Sequence, residues 1–465
     1  MSGEASAHAR AIWQAGVDAV DSRRLVRDAV TCDGQDLVVC GRRHPINRLN
    51  RLLVVGTGKA GAGMAAAIED VLPDALLAER VVGWVNVPAD CVRPLERIHL
   101  HAARPAGVNE PTAEGVDGAR RILELVGDAG PDDLVLVLIS GGGSALLPAP
   151  VDGITLEHKL AVTRWLMHSG ATINELNCVR KRLSAVKGGD LARAAAGAGA
   201  VQSLIISDVI GDPLDVIASG PTVADTGTYW QALEVLKRHA GQSDNVPPAV
   251  WDWLNIRAAE ESPDVGQSAA ESGRGTVPLG ASVSNHVIGN NQVAVAAATR
   301  TAESLGYEVL SLGSDNQGVA REEGAALLAL CRGIQDGHGP VATPACVISG
   351  GEPVVKLAAT DQPRRGGRNQ ELVLAALAES GERGLAGLSI LSGGTDGEDG
   401  PTDAAGALVD QDLYEKAHSQ EVAPEPFLEI NDSYTFFDRV GGLVKTGPTH
   451  TNVMDLRVAV VTPSP

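Results

Sequence analysis

The chain has 465 residues, 44% of them apolar but only 3% aromatic, so a sizeable core must be built from Ala, Val, Leu and Ile. A formal net charge of −20 argues against nucleic acid or an anionic membrane surface as partner, since either needs a basic face. Six cysteines without a C-x-x-C pair suggest neither a zinc site nor a disulfide framework, and a reduced cytoplasm fits. The first residues lack a basic segment followed by an apolar one, and no apolar run reaches the length of about 18 residues that a membrane span needs.

This length predicts two or three domains. The stretch Ala5–Val30 reads as an amphipathic helix. From residue 50 onward strands and helices alternate: a strand over 51–56, a helix near 60–72, a strand over 80–87, a helix near 112–127 and a strand over 134–139. Helices near 155–169 and 187–197 and a strand over 201–207 follow. Such alternation predicts an α/β fold, a Rossmann-like parallel sheet with helices on both faces. Residues 241–285 mix Pro, Ser, Gly and charge around a short helical piece near Trp251, and read as a variable connection. Alternation then resumes with helices at 291–305, 318–333 and 369–379 and strands at 307–312, 345–349, 387–392 and 455–462. The expected division is an N-terminal α/β domain over 1–240, the connection over 241–285, and a smaller C-terminal α/β domain over 286–465.

Chemistry gathers at the strand ends. "LISGGGS" (138–144), "VISGGEP" (347–353) and "LSGGTDG" (391–397) each place Ser-Gly-Gly after an apolar run. Glycines there permit positive φ and let backbone N–H groups face an oxyanion, so Ser140, Gly141, Gly142, Gly143 and Ser144 are candidate binding residues, with Gly351, Glu352 and Asp396 beside the other two ends. "GTGKAG" (56–61) places Gly56, Gly58 and Gly61 in the G-x-G-x-x-G pattern of dinucleotide sites. No acidic residue ends the second strand to hold a ribose, and Lys59 lies inside the loop, which suits a transferring phosphoryl group better. It is not a Walker A loop. "NCVRKRLSAVKGG" (177–189) concentrates Arg180, Lys181, Arg182 and Lys187 in an acidic chain; some are ordinary helix charges, but Lys187 beside two glycines suggests oxyanion contact. Asp208 and Asp212 follow a buried strand, where carboxylates could hold Mg²⁺ or take a proton from a hydroxyl, or merely build a turn. Arg368 stands at a helix start in "GGRNQE" (366–371), placed to neutralise phosphate or carboxylate. Asp396, Glu398, Asp399 and Asp403 do not have the spacing of a calcium loop.

These motifs in order, with "SDVIGDPLDVIASGPT", "GTDGEDGPTDAAG" and "NDSYTFF…TGPTHTNVMDL", resemble the glycerate 2-kinases of the MOFRL type, a family that has also carried the name hydroxypyruvate reductase. The resemblance spans nearly the whole chain. It implies ATP-dependent phosphorylation of D-glycerate to 2-phosphoglycerate with Mg²⁺, and an active site between a larger N-terminal and a smaller C-terminal α/β domain. It also implies Lys59 and Arg368 as the catalytic pair; Asp208, from its own place after a buried strand, is a third catalytic candidate, and a homodimer is one expected assembly. An NAD(P)H-dependent hydroxypyruvate reductase is the rival reading, favoured only by the glycine fingerprint. The chain departs from the family pattern at Arg182, where His is usual, at Arg104 before Pro105, and at His450 and Met454.

Overall fold

The computed structural model describes residues 2–105, 108, 110–240, 246–261, 279 and 282–463. Two compact units form. The first comprises Val26–Ile205 and Pro213–Ile288; the second comprises Met1–Leu25, Ile206–Asp212 and Gly289–Pro465. The units therefore do not follow a single cut in the chain: the amino-terminal segment and Asp208–Asp212 belong with the carboxy-terminal sheet.

A small antiparallel sheet of β1 (Val30–Cys32), β2 (Asp36–Val39) and β3 (Arg42–Pro45) opens the first unit. Its main sheet contains β4 (Leu52–Thr57), β5 (Val81–Pro88), β6 (Ile98–Arg104), β7 (Leu134–Ile139), β8 (Ala200–Ile206) and β9 (Val283–Gly289), in the order β6-β5-β4-β7-β8-β9. The pairs from β6 across to β8 are parallel. Every residue of β4, β7 and β8 is buried, as their unbroken apolar runs require when helices cover both faces. A separate apolar cluster joins helices Leu156–His168, Ile173–Arg182, Tyr229–Ala240 and Pro248–Glu260 through Val162, Leu166, Leu176, Val179, Leu236 and Leu254.

The second unit holds β10 (Glu308–Ser311), β11 (Ala345–Gly351), β12 (Leu388–Gly394), β13 (Gly406–Asp410), β14 (Leu443–Val444) and β15 (Asp455–Val461), in the order β10-β11-β15-β12-β13-β14. This sheet is mixed: β15 lies antiparallel between β11 and β12, and only the β10–β11 pair is parallel. Strand pleating divides its side chains between two cores. Ile348, Leu391, Val458 and Val460 meet the amino-terminal helix through Ile12, Trp13 and Val17. Val347, Ile390, Ala459 and Val461 face Leu328, Cys331, Leu372 and Phe436 on the other side.

Several expectations are corrected. The expected helix over Ala5–Val30 is two, Ser2–Ala19 and Ser22–Ala29. The expected helix at 187–197 is only Asp190–Ala194, and the charged stretch before it belongs to helix Ile173–Arg182. After residue 286 the expected α/β domain has a mixed sheet, in which β15, β12, β13 and β14 pair antiparallel. In the connection, residues 241–245, 262–278, 280 and 281 lie outside the described residues; between them runs helix Pro248–Glu260. No helix among the described residues is long and apolar enough to cross a membrane.

Candidate active site

Because β4 and β7 are parallel neighbours in register, with Gly56 opposite Leu138 and Thr57 opposite Ile139, their two glycine loops emerge side by side. Backbone bonds tie them together. Lys59 N–H donates to the Gly141 carbonyl at 2.9 Å, Ala60 N–H to Ser140 Oγ at 3.0 Å, and Ser140 N–H to the Thr57 carbonyl at 3.0 Å. Gly58 has φ +131°, and a Cβ there would collide with Ser140. Gly142, at φ +75°, caps the short helix Gly143–Leu146, and a Cβ on it would lie 3.5 Å from Arg104 Nη2 and 3.6 Å from Lys59 Cγ. Two cationic side chains therefore border the turn. Gly56 and Gly58 meet protein atoms: Leu138 and Ser140 occupy the space their missing side chains leave.

At the far end of the same loop stands Ser144. Its hydroxyl accepts from Arg180 Nη2 at 2.9 Å and makes a close contact with Lys187 Nζ, which also reaches the Ser144 carbonyl and Ser219 Oγ, at 3.3 and 3.2 Å. Lys187 is buried, and burial followed by repulsion from Arg180 pushes its pKa well down. Ser219 is delivered by a turn in which Ala218 and Ser219 both adopt positive φ, +50° and +65°, a conformation costly for residues with a Cβ. Gly56, Gly58, Lys59, Ser140–Ser144 and Lys187 thus converge on one loop cluster in the first unit.

In the second unit, Arg368 opens helix Arg368–Ala378. Its Nε and Nη2 donate to the two carboxylate oxygens of Asp455, at 2.7 and 3.0 Å, and its Nη1 donates to Glu352 at 2.8 Å. Burial opposes the charge on Arg368, but fully buried Asp455 more than offsets it and the pKa rises. Asp455 begins β15 opposite both Gly351 and Gly394, so two of the three Ser-Gly-Gly strand ends flank the arginine's partner. The helix start is capped by Asp399, which accepts from Asn369 N–H at 3.0 Å and Gln370 N–H at 2.8 Å. Burial raises the Asp399 pKa to about 7 despite those bonds. Asp396 lies one loop away, where its carbonyl accepts from Thr449 N–H at 3.2 Å.

Asp208 and Asp212 also belong to this unit. Asn452 Nδ2 donates to Asp208 at 3.3 Å, and Asn290 Nδ2 donates to Asp212 at 2.6 Å. Asn452 is three residues from Asp455, so the segment 452–455 links Asp208 to the arginine's support. Among the described residues no group of three or more His, Cys, Asp or Glu gathers to hold a metal. Asp208 and Asp212, each held by a side-chain amide, are the carboxylates this stretch offers to Mg²⁺, which usually keeps several waters and takes the rest of its shell from substrate phosphates.

Sequence reasoning missed Asp455 and Asn452, and named Asp399 without its capping role. Of the departures, Arg182 pairs closely with Asp225 and lies 5.4 Å from the Tyr229 ring centre, while His450 and Met454 adopt positive φ, +59° and +71°.

Residues 8–255 match the family described as a domain of unknown function, DUF4147, and residues 345–455 match the MOFRL family. A rat protein named glycerate kinase is 38% identical, over 98% of this chain and 93% of its own. An Agrobacterium vitis relative carrying a hydroxypyruvate reductase name is 39% identical, over 95% of both chains. The crystal structure of a glycerate kinase from Thermotoga maritima has a TM-score of 0.80 at 32% identity, covering 98% of this chain and 99% of that one. The chain belongs to this MOFRL-containing family, and it is a phosphotransferase of the kinase type.

Proposed function

We propose that the protein transfers the γ-phosphoryl group of ATP to the 2-hydroxyl of D-glycerate, giving ADP and 2-phospho-D-glycerate. The observation that carries this reading is Lys59. It stands in a glycine turn stitched to the Ser140–Ser144 loop, a lysine beside Gly142 in a chain of net charge −20. The relatives named glycerate kinase support glycerate as the acceptor.

Phosphoryl transfer needs little covalent help, so the protein's contribution is positioning and charge neutralisation. Lys59 and Arg368 supply positive charge to the equatorial oxygens of the transferring group. Asp208 accepts the proton of the attacking hydroxyl as its oxygen bonds to the γ-phosphorus and the bond to the leaving ADP oxygen breaks. The residues that would hold Mg²⁺ are Asp208 and Asp212, and the ion, when bound, neutralises charge on the nucleotide phosphates. The Ser140–Ser144 loop orients an oxyanionic group of a reactant through Gly141, Gly142 and Ser144, since the Ser140 and Gly143 N–H groups are bonded within the chain. Gly351, Glu352 and Asp396 serve the nucleotide side.

β5 ends in Asn86-Val87-Pro88, where Asn86 is buried and donates to the Gly115 and Leu146 carbonyls, so no acid stands there for a ribose hydroxyl. This disfavours the reductase reading. The test incubates the protein with ATP, Mg²⁺ and D-glycerate and identifies the product by mass and phosphorus NMR. The 2-phosphate is expected. NADH oxidation with hydroxypyruvate in place of ATP consumption would overturn the proposal.

A further inference from the structure

Helices Leu156–His168 and Ile173–Arg182 carry Lys159 and Arg180, the second of which reaches the Ser144 end of the glycine loop. Lys159 is 9% exposed, and its Nζ is buried with no hydrogen-bond partner among the described residues. It lies within electrostatic reach of Arg180 and Lys187. The contacts Arg180 and Lys187 make here are to neutral groups, Ser144 and Ser219. Neighbouring cations in the same stretch are neutralised: Lys181 pairs with Asp225 at 3.0 Å, Arg182 pairs with the same carboxylate, and Arg193 pairs with Asp190 at 2.6 Å. A chain with 58 acidic residues has thus placed none of them in an ion pair with Lys159, Arg180 or Lys187 among the described residues.

Buried charge without a partner is destabilising, and such groups persist where they act on something outside the chain. Burial, with Arg180 nearby, pushes the Lys159 pKa down to about 7. The strained turn at Ala218–Ser219 points the same way, since it presents a second hydroxyl 3.2 Å from both Lys187 Nζ and Ser144 Oγ. Cationic side chains and hydroxyl groups thus converge at Ser144 and Ser219.

We propose that Lys159, Arg180 and Lys187, with the hydroxyls of Ser144 and Ser219, form a preorganised pocket for one oxyanionic group of a reactant. That group is either the carboxylate of the 2-hydroxy acid or a phosphate of the nucleotide. The identity of these two ligands rests on the phosphotransfer reading above; the existence of the pocket does not. The role assigned to Lys159 is binding and specificity.

The test compares wild type with Lys159→Met and Lys187→Met, and with Lys187→Gln should the methionine variant not fold. Calorimetry measures D-glycerate and ADP binding separately, and thermal melting is followed without ligand. Each lost charge-assisted contact is expected to weaken one ligand by about 10-fold to 100-fold, while the other stays within about twofold. Lys159→Met is also expected to melt higher than wild type when no ligand is present. Selective loss of D-glycerate identifies the carboxylate as occupant; selective loss of ADP identifies the phosphate. Unchanged affinity for both, or loss of both together with a lower melting temperature, overturns the pocket. If wild type binds neither ligand, the kinase reading fails, and inorganic phosphate and acetate decide the pocket alone. They must then raise the melting temperature of wild type but not of Lys187→Met; an equal effect, or none, overturns it.

Discussion

Asp455→Asn isolates what holds Arg368 in place. Asp455 is fully buried and accepts from Nε at 2.7 Å and Nη2 at 3.0 Å, two charge-assisted bonds in a fork. The amide keeps the shape but offers one acceptor and turns an NH₂ toward the guanidinium. One such bond contributes about 1.5–3 kcal/mol, so its loss corresponds to roughly 10-fold to 100-fold in rate if the guanidinium must be aimed in the transition state. The 2.8 Å bond to Glu352 remains and keeps the arginine near its place, so a total loss of activity is not expected. A coupled assay of ADP release should show kcat falling by this factor, with KM for D-glycerate and ATP changing less. Arg368→Met should lose at least about 100-fold, as when a preorganised charge is removed from a transition state. If Asp455→Asn keeps kcat within twofold of wild type while Arg368→Met is crippled, the aspartate does not position the arginine, and the reasoning fails.

Lys59→Met and Arg368→Met combined should lose less in kcat than the sum of the two free-energy losses, because groups that act on one transition state are not additive; strict additivity in the double-mutant cycle would separate their roles. Gly58→Ala should destabilise the fold by about 2 kcal/mol or more in urea titrations, since the φ of +131° and the Ser140 collision act together. Asp208→Asn and Asp212→Asn should each raise the Mg²⁺ concentration needed for half-maximal rate; an unchanged Mg²⁺ dependence would free both from that role. The Lys159 pKa is lowered from 10.5 to about 7, so between those values the unfolded chain binds the extra proton and stability rises with pH. The difference between wild type and Lys159→Met should therefore shrink from pH 7 to pH 10, by at most about 1.4 kcal/mol per pH unit. Asp399, raised from 3.8 to about 7, acts in the opposite sense: stability falls as pH climbs from 4 to 7, and urea melts of Asp399→Asn should lack that component.

The parts of the fold visible in the sequence are those written locally. β4, β7 and β8 are apolar runs closed by glycine or serine, and buried parallel strands require that pattern. β6, with His99 and His101 interrupting its apolar residues, lacked the pattern and was missed. Strand direction was also out of reach, because period-2 alternation is the same for parallel and antiparallel neighbours. The glycine loops announced themselves, but their meaning was partly different: at Gly56, Gly58 and Gly351 the closest approach is made by Leu138, Ser140 and Asn316 of the chain itself. Arg368 was legible as a helix-start cation, whereas its partner lies 87 residues away. Lys159 sits in "LEHKLAVTRWLMH", where a single lysine among helical residues looks like an ordinary solvated side chain. In the fold it is buried instead.

The central position of β15 has a consequence for biosynthesis. The second sheet has no middle until residues 455–461 emerge from the ribosome, although the helix at Ser2–Ala19 that covers it is made long before them. The first unit can acquire its native contacts during translation, while that early helix waits with Ile12, Trp13 and Val17 unsheltered. A nascent chain stalled before Asp455 should therefore bind chaperones through the Ser2–Ala19 helix.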